Sequence, residues 1–332
     1  MGVATSHQDF HKQLRLALEE PQTPAGAVID VSFLTRFFCL AGLPVGRPKN
    51  THFSRQTEEF SLTINAPTLG LPGGGDVAVG LPWGPKARLL TIWMSTAVQD
   101  SSRSADDRWL EIGRIKPWLA SIGVKVHGDA PGKTKEQLIK LTFANYTMIA
   151  KQSGAALIRN QQLVDRAVFA DEDLPHYAAG ALDKVRWPTG IELSQTAFQR
   201  FREDLVPIPT ARLAEISHSA MAIDTFVFLS YRLPTIPQGE DVLVPWRDLA
   251  IQFGSGESPG RFKDSFAPTI DAAMRAYPEA KVQVTDEGLR MWHSPPAELR
   301  RAFVAVPNSP AVKQRKLRNR VELPDPVKED AA

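Results

Sequence analysis

A single cysteine, Cys39, stands in the whole chain, so no disulfide can close within it. That points to a reducing compartment. Cys39 lies in the apolar run Phe37-Phe38-Cys39-Leu40 and reads as a small buried residue rather than a reactive thiol. Long hydrophobic runs are missing too. The longest are about ten residues, Asp224 interrupts the best of them, and a bilayer needs ~20. The N-terminal stretch MGVATSHQDFHKQ is polar and lacks a signal-peptide core, so a cytoplasmic location without a membrane partner is expected. Metal ligands are scarce. The seven histidines are scattered, and His7 and His11, at i and i+4, have no third ligand close by. The acidic trio Asp171-Glu172-Asp173 reads as a solvated loop, whereas a nuclease needs carboxylates converging on Mg²⁺. No metal, cofactor or enzymatic reaction is expected. The net charge of +2 excludes no partner, which leaves charge placement to decide.

What is present is an ordinary globular composition, 43% hydrophobic and 23% charged, over 332 residues, enough for two domains. The seven tryptophans fall mostly on apolar faces, where core packing is the expected role. Patterning predicts helices at 8–20 and 31–41 and a strand at 60–64. Residues 77–82 read as a strand. Pro85 then opens a helix with Leu89, Ile92, Trp93 and Thr96 on one face. A helix at 115–122 is closed by Gly123, and another runs from 133 to about 145, followed by strands at 148–151, 156–159 and 185–193. A similar order then returns. Helices are expected at 196–205 and 219–233, a strand at 242–244, and a short helix at 246–253. After the turn 254–257, Ser258 and Pro259 suit the N-cap and first position of a helix reaching about 277. Strands at 281–284 and 289–292 flank a turn at Asp286-Glu287-Gly288.

The stretch HGDAPGKTKEQL, residues 127–138, borrows letters from a phosphate-binding loop. That loop needs Gly, four residues, then Gly-Lys-Ser/Thr, so that successive backbone N–H groups curl round one phosphate. Here Gly128 and Gly132 are separated by three residues instead of four, and His127 occupies the place of the first glycine. A tight turn opening a helix fits better than nucleotide hydrolysis. On that helix Leu138, Ile139, Leu141 and Thr142 point inward, while Lys133, Gln137 and Lys140 fall at i, i+4 and i+7 on the opposite side. Between Gly132 and Gln161 there are five basic residues (Lys133, Lys135, Lys140, Lys151, Arg159) and one acid, Glu136. The helix after Ser258 repeats the theme. Phe262, Phe266, Ile270, Met274 and Tyr277 point inward, and Arg261, Ser265 and Pro268 point outward, with Arg275 further along. Pro268 should bend or break this helix. A short helix, a Gly turn, a longer helix with a basic first turn and a hairpin are the parts of a winged helix-turn-helix. The expected fold is α+β, with two tandem winged-helix domains, an N-terminal helical extension and a basic C-terminal tail. The expected boundaries are 1–59, 60–193, 194–296 and 297–332, the last mobile and carrying Lys313, Arg315, Lys316, Arg318 and Arg320.

Over roughly 28–296 the chain resembles the plasmid-encoded RepA family of replication initiators. The resembling residues are Gly80-Leu81-Pro82-Trp83-Gly84, Arg88-Leu89-Leu90 and Trp93, then Ala222-Ile223-Asp224 and Tyr231-Arg232-Leu233. Further on they are Trp246-Arg247-Asp248-Leu249-Ala250, Gln252-Phe253-Gly254, Tyr277-Pro278-Glu279-Ala280, Gly288-Leu289 and Ser294-Pro295-Pro296. The chain departs from the family at Ala87, where proline is usual, and at 128–133, which replaces a Gly- and Arg-rich turn. The resemblance implies binding to short direct repeats (iterons) in a plasmid origin, opening of an AT-rich segment, and recruitment of the host initiator and replicative helicase. It also implies self-association between monomer and dimer. The candidate DNA contacts are Lys133, Thr134, Lys135, Gln137, Lys140, Lys151 and Arg159 in the first domain. In the second they are Ser258, Arg261, Lys263, Ser265, Arg275 and Arg290. The alternatives are a winged-helix transcription repressor without origin function and a P-loop-like nucleotide-binding protein.

Overall fold

The structure, a computed structural model, describes residues 28–296 except 57–59, 73, 101–102, 105, 125–129, 153–154, 204 and 255–257, together with 303–305. The helix expected at 8–20, His7, His11 and the basic run from Lys313 to Arg320 lie outside the described residues.

The described part of the N-terminal region holds more strand than helix. Val28–Thr35 forms β1 and only Arg36–Leu40 forms a short helix, α1. β1 lies between Leu205–Pro209 (β11), with which it is antiparallel, and Phe303–Ala305 (β15), with which it is parallel. Val31 to Thr35 and every residue of β11 are buried. A strand covered on both faces loses the period-two signal, so an apolar run of this length passes for helix. The same effect explains why the helix expected at 196–205 ends at Glu203 and gives way to β11.

His52–Gln56 (β2) and Phe60–Asn65 (β3) pair antiparallel, and a ribbon of Thr68–Gly70 (β4) and Asp76–Ala78 (β5) follows. Next come Gly84–Ala97 (α2), Trp109–Glu111 (β6), Ile115–Ser121 (α3) and Ala130–Phe143 (α4). The hairpin of Asn145–Gln152 (β7) and Ala155–Gln162 (β8) does not stand alone. β7 pairs with β3, giving a four-stranded sheet in the order β2-β3-β7-β8. Val164–Val168 (β9), Leu174–Ala178 (α5) and Gly190–Leu193 (β10) follow, and β6 pairs with β10 rather than with the hairpin.

The second half contains Gln195–Glu203 (α6), β11, Thr210–Ile216 (α7) and Ala220–Arg232 (α8). After these come Asp241–Pro245 (β12), Trp246–Phe253 (α9), Pro259–Ala276 (α10), Val282–Val284 (β13) and Gly288–Trp292 (β14). The last sheet has the order β12-β14-β13. Pro268 does not break α10. It sits on the exposed side, where water can satisfy the carbonyl left without an N–H partner.

One apolar core runs from Leu34 to Met291 and draws on both halves. Within it α2 packs against α8. Nearly all of α2 is buried, and Thr91, Ser95 and Thr96 donate their hydroxyls to carbonyls one turn back. Between the two helices lies a buried ion pair. Arg88 Nε donates to Asp224 Oδ1 at 2.6 Å and Nη2 to Oδ2 at 2.5 Å, with both side chains 5% exposed. The guanidinium also donates to the carbonyls of Leu43, Pro44 and Gly84. Cys39 is buried nearby. Desolvation, reinforced by the Asp224 charge, pushes its thiol well above the usual range, which suits an inert packing residue.

Asp224→Asn leaves the guanidinium buried and half-paired, so unfolding in denaturant is expected to show a loss of about 3–5 kcal/mol, with much of it recovered in the Arg88→Met/Asp224→Leu double variant. Pro268→Ala is expected to raise the denaturation midpoint by the equivalent of about 1–3 kcal/mol, since it restores a helix hydrogen bond at an exposed position.

Candidate nucleic-acid interface

The second half presents an open surface built on aromatic packing. Phe253 of α9 stacks on Phe266 of α10 at 5.3 Å, and Phe262 stacks on Phe266 at 4.7 Å. Phe228 of α8 meets Phe253 edge-on at 5.5 Å, and the Tyr277 hydroxyl donates to the Ser294 carbonyl at 2.6 Å. These contacts bury Phe262, Phe266, Ile270 and Tyr277, as the helical spacing predicts, while Met274 is half-buried. The opposite side of α10 carries Ser258, Gly260, Arg261, Asp264, Ser265, Pro268, Asp271 and Arg275, all exposed. The hairpin is tied to α9. Trp246 Nε1 donates to the Thr285 carbonyl at 3.0 Å and its backbone N–H to the Glu287 carbonyl at 3.1 Å. Gly288 is required there, because a Cβ would lie 2.0 Å from the Val244 carbonyl oxygen.

The candidate residues of this half are not equivalent. Arg261 and Ser258 stand free of the core at the helix start, where orphan N–H groups and the positive end of the dipole face outward. Ser265 is exposed and donates back to the Phe262 carbonyl. Lys263 is partly buried, pairs with Asp286 in the hairpin turn at 3.0 Å and lies 5.7 Å from the Trp246 ring centre. It thus braces the hairpin against the helix. Arg290 pairs with Asp241 at 3.5 Å across the sheet. Arg275 is exposed but belongs to the last turn. Two exposed basic residues on the same elements were missed, Arg247 on α9 and Lys281 before β13. Arg247 is followed by Asp248, and that local charge balance hid it.

The first half departs from expectation. Gly132, Lys133 and Thr134 lie inside α4, which is already helical from Ala130. Residues needed as an extended phosphate-cradling loop are therefore helical, and Thr134 is buried. His127 and Gly128 lie outside the described residues. The stripe expected to face solvent is mostly covered. Gln137 is 3% exposed and its Oε1 accepts from the Trp83 backbone N–H at 2.7 Å. Lys140 is 4% exposed and pairs with Glu136 at 2.5 Å. It passes beside Gly80, whose φ of +76° turns the chain over the helix. A small second core explains the cover. Val77, Val79, Tyr177, Leu182 and Val185 close on Ile139, so the β4–β5 ribbon and the segment after β9 clamp the outer side of α4. Lys135 donates to the Val185 carbonyl across that clamp, and burial lowers its pKa. Gln137 and Lys140 are thus corrected from a free surface to interior ties, and Thr134 from a free to a buried residue. Lys133 remains exposed, as does Lys151 on β7, and Arg159 on β8 is half-buried.

Among the described residues no helix is long and apolar enough to cross a membrane, and no three His, Cys, Asp or Glu side chains gather as a metal site.

No family model matches the chain, and no curated protein matches it. Among solved structures it is similar to crystallised domains 2 and 3 of RctB. One such structure, a selenomethionine derivative, is 11% identical with a TM-score of 0.46, covering 70% of this chain and 82% of that one. Another, RctB 155–483, is 11% identical with a TM-score of 0.42, covering 72% and 81%. Similarity at this level establishes neither a family nor a function.

Proposed function

We propose that the chain binds double-stranded DNA through residues 241–292 and acts as a plasmid replication initiator on direct repeats. Helix, strand, two helices and a hairpin, with the first strand pairing to the last, are the parts and order of a winged helix. The observation that carries the reading is the exposed start of α10, with Arg261 and Ser265 on the side away from the stacked phenylalanines. Such a helix end fits the major groove and offers N–H groups and a cation to phosphate. The sequence resemblance to RepA initiators supplies the origin role, the iterons and the host initiator and helicase as partners. The reading includes no chemistry of the chain's own. Self-association has a surface available in β8, an edge strand of its sheet, with Ile158 59% exposed beside Ile149 and Leu157. A transcription repressor would use the same contacts. The two readings part in a transformation assay, where a plasmid carrying only the cognate repeats replicates in the presence of an initiator and not of a repressor.

Arg261→Glu is expected to weaken duplex binding and lower the slope of log K against log salt by about one, measured by fluorescence anisotropy in a salt series. Lys140→Met is expected to leave both quantities unchanged, because its charge is spent on Glu136 inside the protein. Lys133→Glu tests whether the exposed end of α4 also meets the duplex. A lowered slope there indicates a second contact.

A further inference from the structure

The C-terminal end of α9 is held by a residue nearly two hundred positions earlier in the chain. Arg55 of β2 is buried, and its Nη1 donates to the carbonyls of Ile251 at 3.3 Å, Gly254 at 3.2 Å and Gln252. Its Nε donates to the Gly42 carbonyl at 3.2 Å, which fixes the stem of the guanidinium. The last carbonyls of any helix lack N–H partners and carry the negative end of its dipole. A planar guanidinium with five donors can serve several of them at once, which a lysine ammonium on a flexible stem does less well. Gly254 leaves the helix in extended geometry, φ −69° and ψ 170°, and a Cβ there would lie 2.3 Å from the Ala250 carbonyl oxygen. Gly254 therefore ends α9 in extended backbone at a position that only glycine fits.

We propose that Arg55 is a positioning residue for DNA binding: through it the four-stranded sheet of the first half sets the end of α9, and with it the start of α10. The inference rests on the DNA-binding reading above and adds a device to it. α9 is pinned at its N-terminus by Trp246 to the hairpin and at its C-terminus by Arg55 to the sheet. Losing the second pin leaves α9 and α10 packed through Phe253 and Phe266 but strips the last carbonyls of α9 of their donor. Arg55 neutralises no phosphate in this arrangement, so its loss has a signature of its own.

The test uses the full chain and a duplex isolated from a randomised pool on the wild-type protein. Arg55→Gln is expected to raise Kd by roughly five- to tenfold, with Arg55→Lys in between. The salt slope and the active fraction from stoichiometric titration stay at wild-type values. Amide exchange speeds up across 251–262 while α8 is unchanged. An unchanged Kd, a loss carried wholly by a smaller active fraction, or a reduced salt slope overturns the proposal, the last by making Arg55 a phosphate contact. Should Arg55→Gln fail to fold, Arg55→Lys carries the same comparison. Failure to isolate any duplex, or indifference to Arg261→Glu, sinks the DNA-binding reading instead. Exchange at 251–262 still decides whether Arg55 holds the end of α9, and unchanged exchange there overturns its positioning role.

Discussion

Two buried charges tie the first half of the described chain to the second. Removing Arg88 and Asp224 from water costs several kcal/mol per ion, and only a close bidentate contact with further hydrogen bonds offsets it. The guanidinium meets that demand with both carboxylate oxygens and three backbone carbonyls. In doing so it joins the loop after α1, the first residue of α2 and the middle of α8. The fit is tight. A Cβ on Gly42 would lie 2.3 Å from Asp224 Oδ2, so the loop can approach only as glycine. The same Gly42 offers its carbonyl to Arg55. One short loop thus connects the ion pair between the halves to the end of α9.

The two halves share an element order but use it differently. α10 packs one side on the core and leaves the other open. α4 is packed on both, with Leu138 and Leu141 in the main core and Ile139 in the smaller one. Beyond the exposed Lys133, two polar residues of its outer side are not solvated but satisfied, Gln137 by a backbone N–H and Lys140 by Glu136. A buried polar side chain is tolerated when it is paired, and each of these has its partner.

How much of this was legible in the sequence follows from where the partners lie. α9, α10 and their hairpin were readable because their punctuation is local: Pro245, Gly254, Ser258-Pro259 and Asp286-Glu287-Gly288 bound patterns of clear period. β1 and β11 were misread because strands buried on both faces show no alternation. The outer side of α4 was misread because what covers it, the main chain at Trp83 and the side chains of Val77, Val79 and Val185, lies some fifty residues away on either side. Ile139 at the margin of the inward arc was the one local sign that a second apolar surface was in use. Arg55 gave no sign, since its partners are carbonyls, which every residue has. Pro268 misled in the opposite direction, because its effect depends on which side of the helix it occupies.

These facts constrain any account of a two-point grip on a duplex. A pair of free recognition surfaces in one chain requires α4 to shed the β4–β5 ribbon and the segment holding Val185, exposing the six residues of the smaller core. Burial of that size resists opening. A second copy supplies a second α10 without unpacking anything, and copies seated on successive direct repeats, related by a translation along the duplex, would each place one helix start on one repeat. On the DNA-binding reading, the closed state of α4 therefore leaves the start of α10 as the open recognition surface and only the exposed Lys133 end of α4 beside it.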